Sequence, residues 1–325
     1  MPLNTGRTLG LNPKRRRIDF ASWVILYLTL ALFFFLSASR SSFLTVGNIH
    51  SILYDTSFRF FAAIGFTLLI IMGELDLSVG SMFGFGGAMM GLFIFNYQLP
   101  VEAAIPLAML VAGLIGLAVG FLVTTFRLNS MMVTIGVMMA VKGVNWILIQ
   151  RFGGRQLARA QYNFVTLELF GIKWTILVML VVALIFEIFL TRSRHLKQLY
   201  YIGHNFSTSV LYGLNANAVK CACFALSAAL SAFGGALMTA RLKHPHVTVG
   251  ANLEISVITA AVIGGASIFG GRGSMIRTML GVLFVSLLQN GLTSFNINTY
   301  VQQIILGAIL VLAIYIDVRV NAKKA

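Results

Sequence analysis

The chain has 325 residues, 58% of them hydrophobic and only 10% charged. Soluble globular domains carry roughly 25% charged residues, so this composition excludes a soluble domain, a disordered chain and a disulfide scaffold alike. The net charge of +15, from 24 Lys and Arg against nine Asp and Glu, does not indicate a nucleic-acid partner, because the basic residues are scattered between long apolar runs as in the cytoplasmic loops of membrane proteins.

In chain order, residues 1–19 read as a cytoplasmic basic N-terminus that includes Lys14-Arg15-Arg16-Arg17. The apolar run that follows is of spanning length, about 20 residues, and fits an uncleaved start helix better than a signal peptide, whose core is shorter. Residues 20–325 are predicted to form a single transmembrane domain of ten helices, near 20–38, 53–73, 77–96, 101–126, 130–150, 172–191, 217–240, 253–270, 275–292 and 299–318. Gly80, Gly84, Gly87 and Gly91 in span three, and Gly116 and Gly120 in span four, are small residues spaced for close helix packing in lipid. Cys221 and Cys223 are too near in sequence for a structural bridge and say little about compartment.

With both termini inside, 15 of the 24 basic residues fall on the inner side and eight on the outer, with Lys142 inside a span. This bias supports the orientation. The stretch 192–220 is the longest inner loop, with four basic residues and no acid.

The chain also repeats itself. Leu75-Asp76-Leu77-Ser78-Val79 followed by Gly86-Gly87-Ala88 aligns with Leu253-Glu254-Ile255-Ser256-Val257 followed by Gly264-Gly265-Ala266. Thr125 to Ser130 aligns with Ser294 to Thr299 in the same order. Each offset equals five predicted spans, and an odd number reverses direction across the membrane. Repeat one, about 53–150, and repeat two, about 217–318, are therefore expected to be inverted, an arrangement typical of transporters.

Charged residues within the spans have local readings. Asp76 either caps the start of span three or lines a path. Lys142 shares a helical face with Thr134, Met138 and Asn145, so it is expected to face the interior or snorkel. Asp55 and Arg59 stand four apart and are expected to pair. Glu187 is expected to snorkel to the inner surface. His244 and His246 lack a third metal ligand nearby, and no catalytic arrangement or phosphate-binding loop is present, so the expectation is a non-enzyme with no cofactor of its own.

Gly73-Glu74-Leu75-Asp76-Leu77-Ser78-Val79-Gly80-Ser81 resembles the Gly-Gly-Ile-Asp-Leu-Ser-Val-Gly-Ser motif of permease subunits of ribose-type ABC sugar importers. The stretch from Glu254 to Gly265, the run Gly270-Gly271-Arg272-Gly273, Ala240-Arg241-Leu242, and Gly203-x-Asn205 with Gly213-x-Asn215 match that family in order, over roughly residues 50–318. The resemblance implies an all-α integral membrane fold similar to the vitamin B12 importer's membrane subunit. It implies a second permease copy or related permease, an ABC ATPase that uses the ATP, a periplasmic or extracellular sugar-binding protein, and residence in the bacterial inner membrane among lipid. It further implies that Gly203, Asn205, Gly213 and Asn215 belong to a loop docking into the ATPase. Two departures stand out: Glu74 replaces a family glycine, and Ser256 stands where relatives have Asp.

The expected function is translocation of a small polar solute, a monosaccharide or a related polyol or nucleoside. Candidate path residues are Asp76, Asn129, Asn145, Ser256, Thr259 and Asn298. An ion-coupled secondary transporter is the competing class, since it also uses inverted repeats. A membrane scaffold or sensor is disfavoured, because no signalling domain is attached.

Overall fold

The computed structural model describes residues 23–322, so the predicted basic segment 1–19 lies outside the described residues. In chain order the helices are α1 (Val24–Ser39), α2 (Val46–Ile71), α3 (Val79–Tyr97), α4 (Val101–Thr125), α5 (Ser130–Arg151), the single turn α6 (Arg159–Tyr162), α7 (Trp174–Arg192), α8 (Arg194–His204), α9 (Phe206–Leu211), α10 (Ala216–Leu242), α11 (Leu253–Ile263), α12 (Met275–Ser294) and α13 (Thr299–Ala322). Between α6 and α7 a two-stranded antiparallel hairpin pairs β1 (Glu168–Leu169) with β2 (Ile172–Lys173).

Eight of these helices are long and apolar enough to cross a membrane: α2, α3, α4, α5, α7, α10, α12 and α13. Two shorter apolar helices, α1 and α11, lie where predicted spans one and eight begin. Span eight was expected to run to residue 270, but its helix stops at Ile263. A glycine pair is the cause. Gly265 adopts φ +87, a conformation open to a residue without Cβ, and Ala266 N–H then folds back onto the Ala261 carbonyl at 2.9 Å. The predicted inner loop 192–220 likewise differs, since two helices, α8 and α9, occupy most of it.

The centre of the bundle is α2, which is buried on nearly every side from Ile52 to Ile71 and mostly apolar there. Phe58, Phe60 and Phe66 are fully buried, and Thr56, Ser57 and Thr67 satisfy their hydroxyls on carbonyls three or four residues back. Beside it α10 packs on α2, α3 and α4. Its facing side is Ala, Ser and Gly, and the helices approach until backbone meets backbone. A Cβ on Gly86 of α3 would strike the Ala232 backbone, and one on Gly235 of α10 would strike the Phe83 carbonyl. Lipid supplies no hydrophobic drive between helices, so dispersion across such close contacts holds the bundle. By contrast α5 and α13 are mostly exposed.

Gly235→Val should therefore overpack the α3–α10 crossing, costing roughly 1–3 kcal/mol or more. Gly307→Ala, whose added methyl meets open space, should not. Thermal unfolding of the detergent-solubilised protein, followed by size-exclusion chromatography, should show a lowered midpoint for the first variant only.

Candidate functional site

A cavity of about 180 Å³ opens among α2, α3, α10, α11 and α12, towards the end of the bundle that carries the hairpin. Its polar lining is Asp55 and Arg59 from α2, Thr248, Ser256 from α11 and Gln289 from α12, with Phe58 and Phe83 among its apolar walls. Asp55 and Arg59 do not pair as their spacing suggested. Asp55 Oδ1 instead accepts from Arg241 Nη1 of α10, whose guanidinium also lies 4.7 Å from the Tyr54 ring centroid. Arg59 donates to Gln289 Oε1 across the cavity. Both contacts join helices far apart in sequence, which tertiary packing favours over a bond along one helix.

A second polar group lies where the start of α11 meets α3. Gly80 gives Glu254 and the Gly250 carbonyl their room, since a Cβ there would meet both. Lys142 Nζ of α5 reaches Glu254 Oε1 at 3.4 Å, so the lysine expected to face inwards does have an acidic partner. Its own side chain stays 45% exposed while that of Glu254 is 10% exposed. One turn on, Asn145 Nδ2 donates to the Ser81 carbonyl at 3.0 Å. The second oxygen of Glu254 and the side-chain oxygen of Asn145 are buried without a protein partner.

The six path candidates do not converge. Ser256 alone lines the cavity. Asp76 is buried beneath it in the helix layer, where Oδ1 accepts from Ser78 N–H at 2.9 Å and Ser78 Oγ at 2.6 Å and Oδ2 from Ser227 Oγ at 3.0 Å. Thr259 is buried and donates to the Ile255 carbonyl at 2.7 Å. Asn129 caps α5, accepting from Met131 N–H at 2.9 Å, and Asn298 accepts from Tyr300 N–H at 2.8 Å at the start of α13. Asn145 is held against α3.

At the opposite end, α8 seats on the end of α2. A Cβ on Gly203 would strike the Ile71 carbonyl and the Gly271 amide, and Gly271 N–H itself donates to Ile71 at 2.8 Å. Tyr200 Oη donates to the Gly273 carbonyl at 2.9 Å; burial and the nearby Glu187 push this phenol up to about 12. Asn205 and Asn215 cap α9 and α10 through Thr208 and Ala218 N–H at 3.0 and 3.1 Å. Gly213, at φ +80, makes the turn between them. Leu211 and Tyr212 stand out from this turn, 87% and 83% exposed. Glu74 pairs with Lys220 of α10. Glu187 does not snorkel; its Oε2 accepts from Ser274 Oγ, Met275 N–H and Ile276 N–H at 3.0, 2.7 and 3.3 Å, and so caps α12.

Sequence reasoning missed Arg241 with Asp55, Arg59 with Gln289, and Lys142 with Glu254. Two of them carried a signal: Arg241 as part of Ala240-Arg241-Leu242, and Lys142 as a charge within a span that shares a face with Asn145.

A bundle of long apolar helices with polar groups buried between them is the frame of a multi-pass membrane protein. The family described as branched-chain amino acid transport system / permease component matches residues 48–314. The chain belongs to this permease family, in its ribose-type ABC branch. It is 29% identical over 311 residues to the ribose import permease protein of Haemophilus influenzae, covering 94% of this chain and 95% of that protein. It is 30% identical over 307 residues to an L-arabinose ABC transporter permease of Azospirillum brasilense, covering 93% and 89%. A D-allose transport system permease of Escherichia coli is 27% identical over 298 residues, with 92% and 91% covered. No solved structure matches the chain significantly.

Lys142→Met leaves a buried carboxylate alone and should lower stability by about 1–3 kcal/mol, as should any change that leaves one buried charge unpaired. Adding Glu254→Gln should restore much of the loss. A double-mutant cycle of thermal midpoints in detergent measures it, and additive effects of the two substitutions would dissolve the pair.

Proposed function

We propose that this chain is the membrane-spanning permease of an ABC importer that brings a monosaccharide or related polyol into the cell. The observation that carries this reading is the near full-length similarity to permeases whose names specify ribose, arabinose and allose. On this reading the chain is not an enzyme and holds no cofactor. A partner ATPase hydrolyses ATP, a binding protein outside delivers the solute, and a second permease, identical or related, completes the path. The whole of residues 20–325 acts as one domain with both termini cytoplasmic.

Packing supports the finer architecture of ten spans and inverted halves. α3 lies on α4 and α5 as α11 lies on α12 and α13, and α10 lies on α3 and α4 as α2 lies on α11 and α12. The Asp76 and Glu254 segments hold corresponding places in the two halves. Such a symmetry would accord with a fold like that of the vitamin B12 importer's membrane subunit.

The α8–α9 end is the proposed ATPase dock, with Gly203, Asn205, Gly213 and Asn215 in it. Two features support it. Large side chains, Leu211 and Tyr212, project from the turn between α9 and α10, outside the long apolar helices. Below them lies a cavity of about 570 Å³ lined by Tyr200, Tyr201, His204, Tyr212 and Leu214 among others.

A tagged chain purified in mild detergent should retain a subunit bearing a phosphate-binding loop, identified by mass spectrometry. Its absence, under conditions that hold such a subunit on a known importer, would favour ion coupling instead. Gly213→Trp or Asn215→Trp should abolish ATP-driven uptake while leaving membrane insertion intact. Normal uptake in both would remove the dock from this turn.

A further inference from the structure

The cavity between α2, α10 and α12 holds an imbalance of charge. Arg59 and Asp55 line it, and a second guanidinium, Arg241, stands behind Asp55 without lining the cavity, so two guanidinium groups share one carboxylate. Asp55 is engaged by Arg241, and Arg59 is met by the neutral carbonyl of Gln289. Among the described residues no carboxylate forms an ion pair with Arg59. The neighbouring acid, Glu254, begins the same helix as Ser256 but is engaged by Lys142 on α5. Asp55, Arg59 and Arg241 together therefore carry a net charge of +1 beside the cavity, inside a bundle of apolar helices where an uncompensated cation is costly.

The geometry points to an anionic solute: we propose that the cavity receives a sugar acid, its carboxylate meeting Arg59 and its hydroxyl groups meeting Asp55, Ser256 and Thr248. A guanidinium presents two parallel N–H donors that match a carboxylate. Asp55, one turn before Arg59 on the same face of α2, disfavours a second negative charge and accepts from hydroxyls, which selects a singly charged polyol over a phosphate ester. Phe58 and Phe83 supply an apolar wall for the C–H face of a ring. The small volume, about 180 Å³, restricts the occupant to one monosaccharide unit. The inference rests on the importer reading and narrows its substrate class from neutral to acidic sugars.

The test is direct binding to the full chain in lipid nanodiscs, with D-galacturonate, D-gluconate, D-galactose and D-ribose as probes, measured by calorimetry or tryptophan fluorescence. At least one acid should bind about tenfold or more tightly than either neutral sugar, a gap of about 1.4 kcal/mol. Arg59→Met should remove that preference, whereas Arg59→Lys should keep part of it. Asp55→Asn raises the cavity charge to +2 and should strengthen binding of the acid, a gain that damage to the fold does not produce. Equal or tighter binding of the neutral sugars, no binding of either acid, or a preference that survives Arg59→Met would overturn the proposal. Copurification of an ATPase is read independently of these sugars, so the importer reading and this one fail separately.

Discussion

The close approach of helix backbones around α10 is the constraint on which the rest of this structure depends. In lipid, apolar side chains gain little by leaving a solvent as apolar as themselves, so contact at short range has to hold the helices. Small residues on α10 and α3 allow that contact, and once made it leaves no slack. The positions of α2, α3 and α4 follow from it, and so do the places where polar groups can be carried inside.

Those polar groups obey a second rule. Several charges placed between the helices are bound to another element: Asp55 to α10, Arg59 to α12, Lys142 to the head of α11, Glu187 to the head of α12 and Glu74, in the link before α3, to α10. Membrane burial makes an unanswered charge expensive, and a partner along the same helix would leave both groups facing the same way. The charged groups thus tie together the helices that the glycines bring near. The cost of breaking one tie falls on two elements at once.

Much of this was legible in the sequence. The eight long spans follow from the length of their apolar runs, whereas the early stop of span eight at Ile263 did not, although the glycines that cause it stand in the sequence. The motif around Asp76 and the blocks from Glu254 to Gly273 carried the family. The partners of individual charges were not legible. A spacing of four suggested that Asp55 would meet Arg59, because one chain reveals neighbours along a helix but not across a bundle. Glu187 looked like a surface residue for the same reason: the three donors that surround it come from residues 274 to 276. The path candidates were chosen for polarity alone, and polarity also serves caps, as Asn129 and Asn298 demonstrate.

One contact has a mechanical meaning. Gly203 rests against the carbonyl of Ile71, the last residue of α2, with no atom between them that can yield. Helix α2 has 26 residues and is largely enclosed from Ile52 to Ile71, and Arg59 and Asp55 lie 12 and 16 residues before that end, roughly 18 and 24 Å away at 1.5 Å per residue. A stiff rod gripped along its sides moves as one piece or not at all. On the proposed dock, a displacement of α8 that moves α2 would reach the cavity as a shift of its two charged α2 residues relative to Arg241 and Gln289, the helix serving as a pushrod from one end of the bundle to the other.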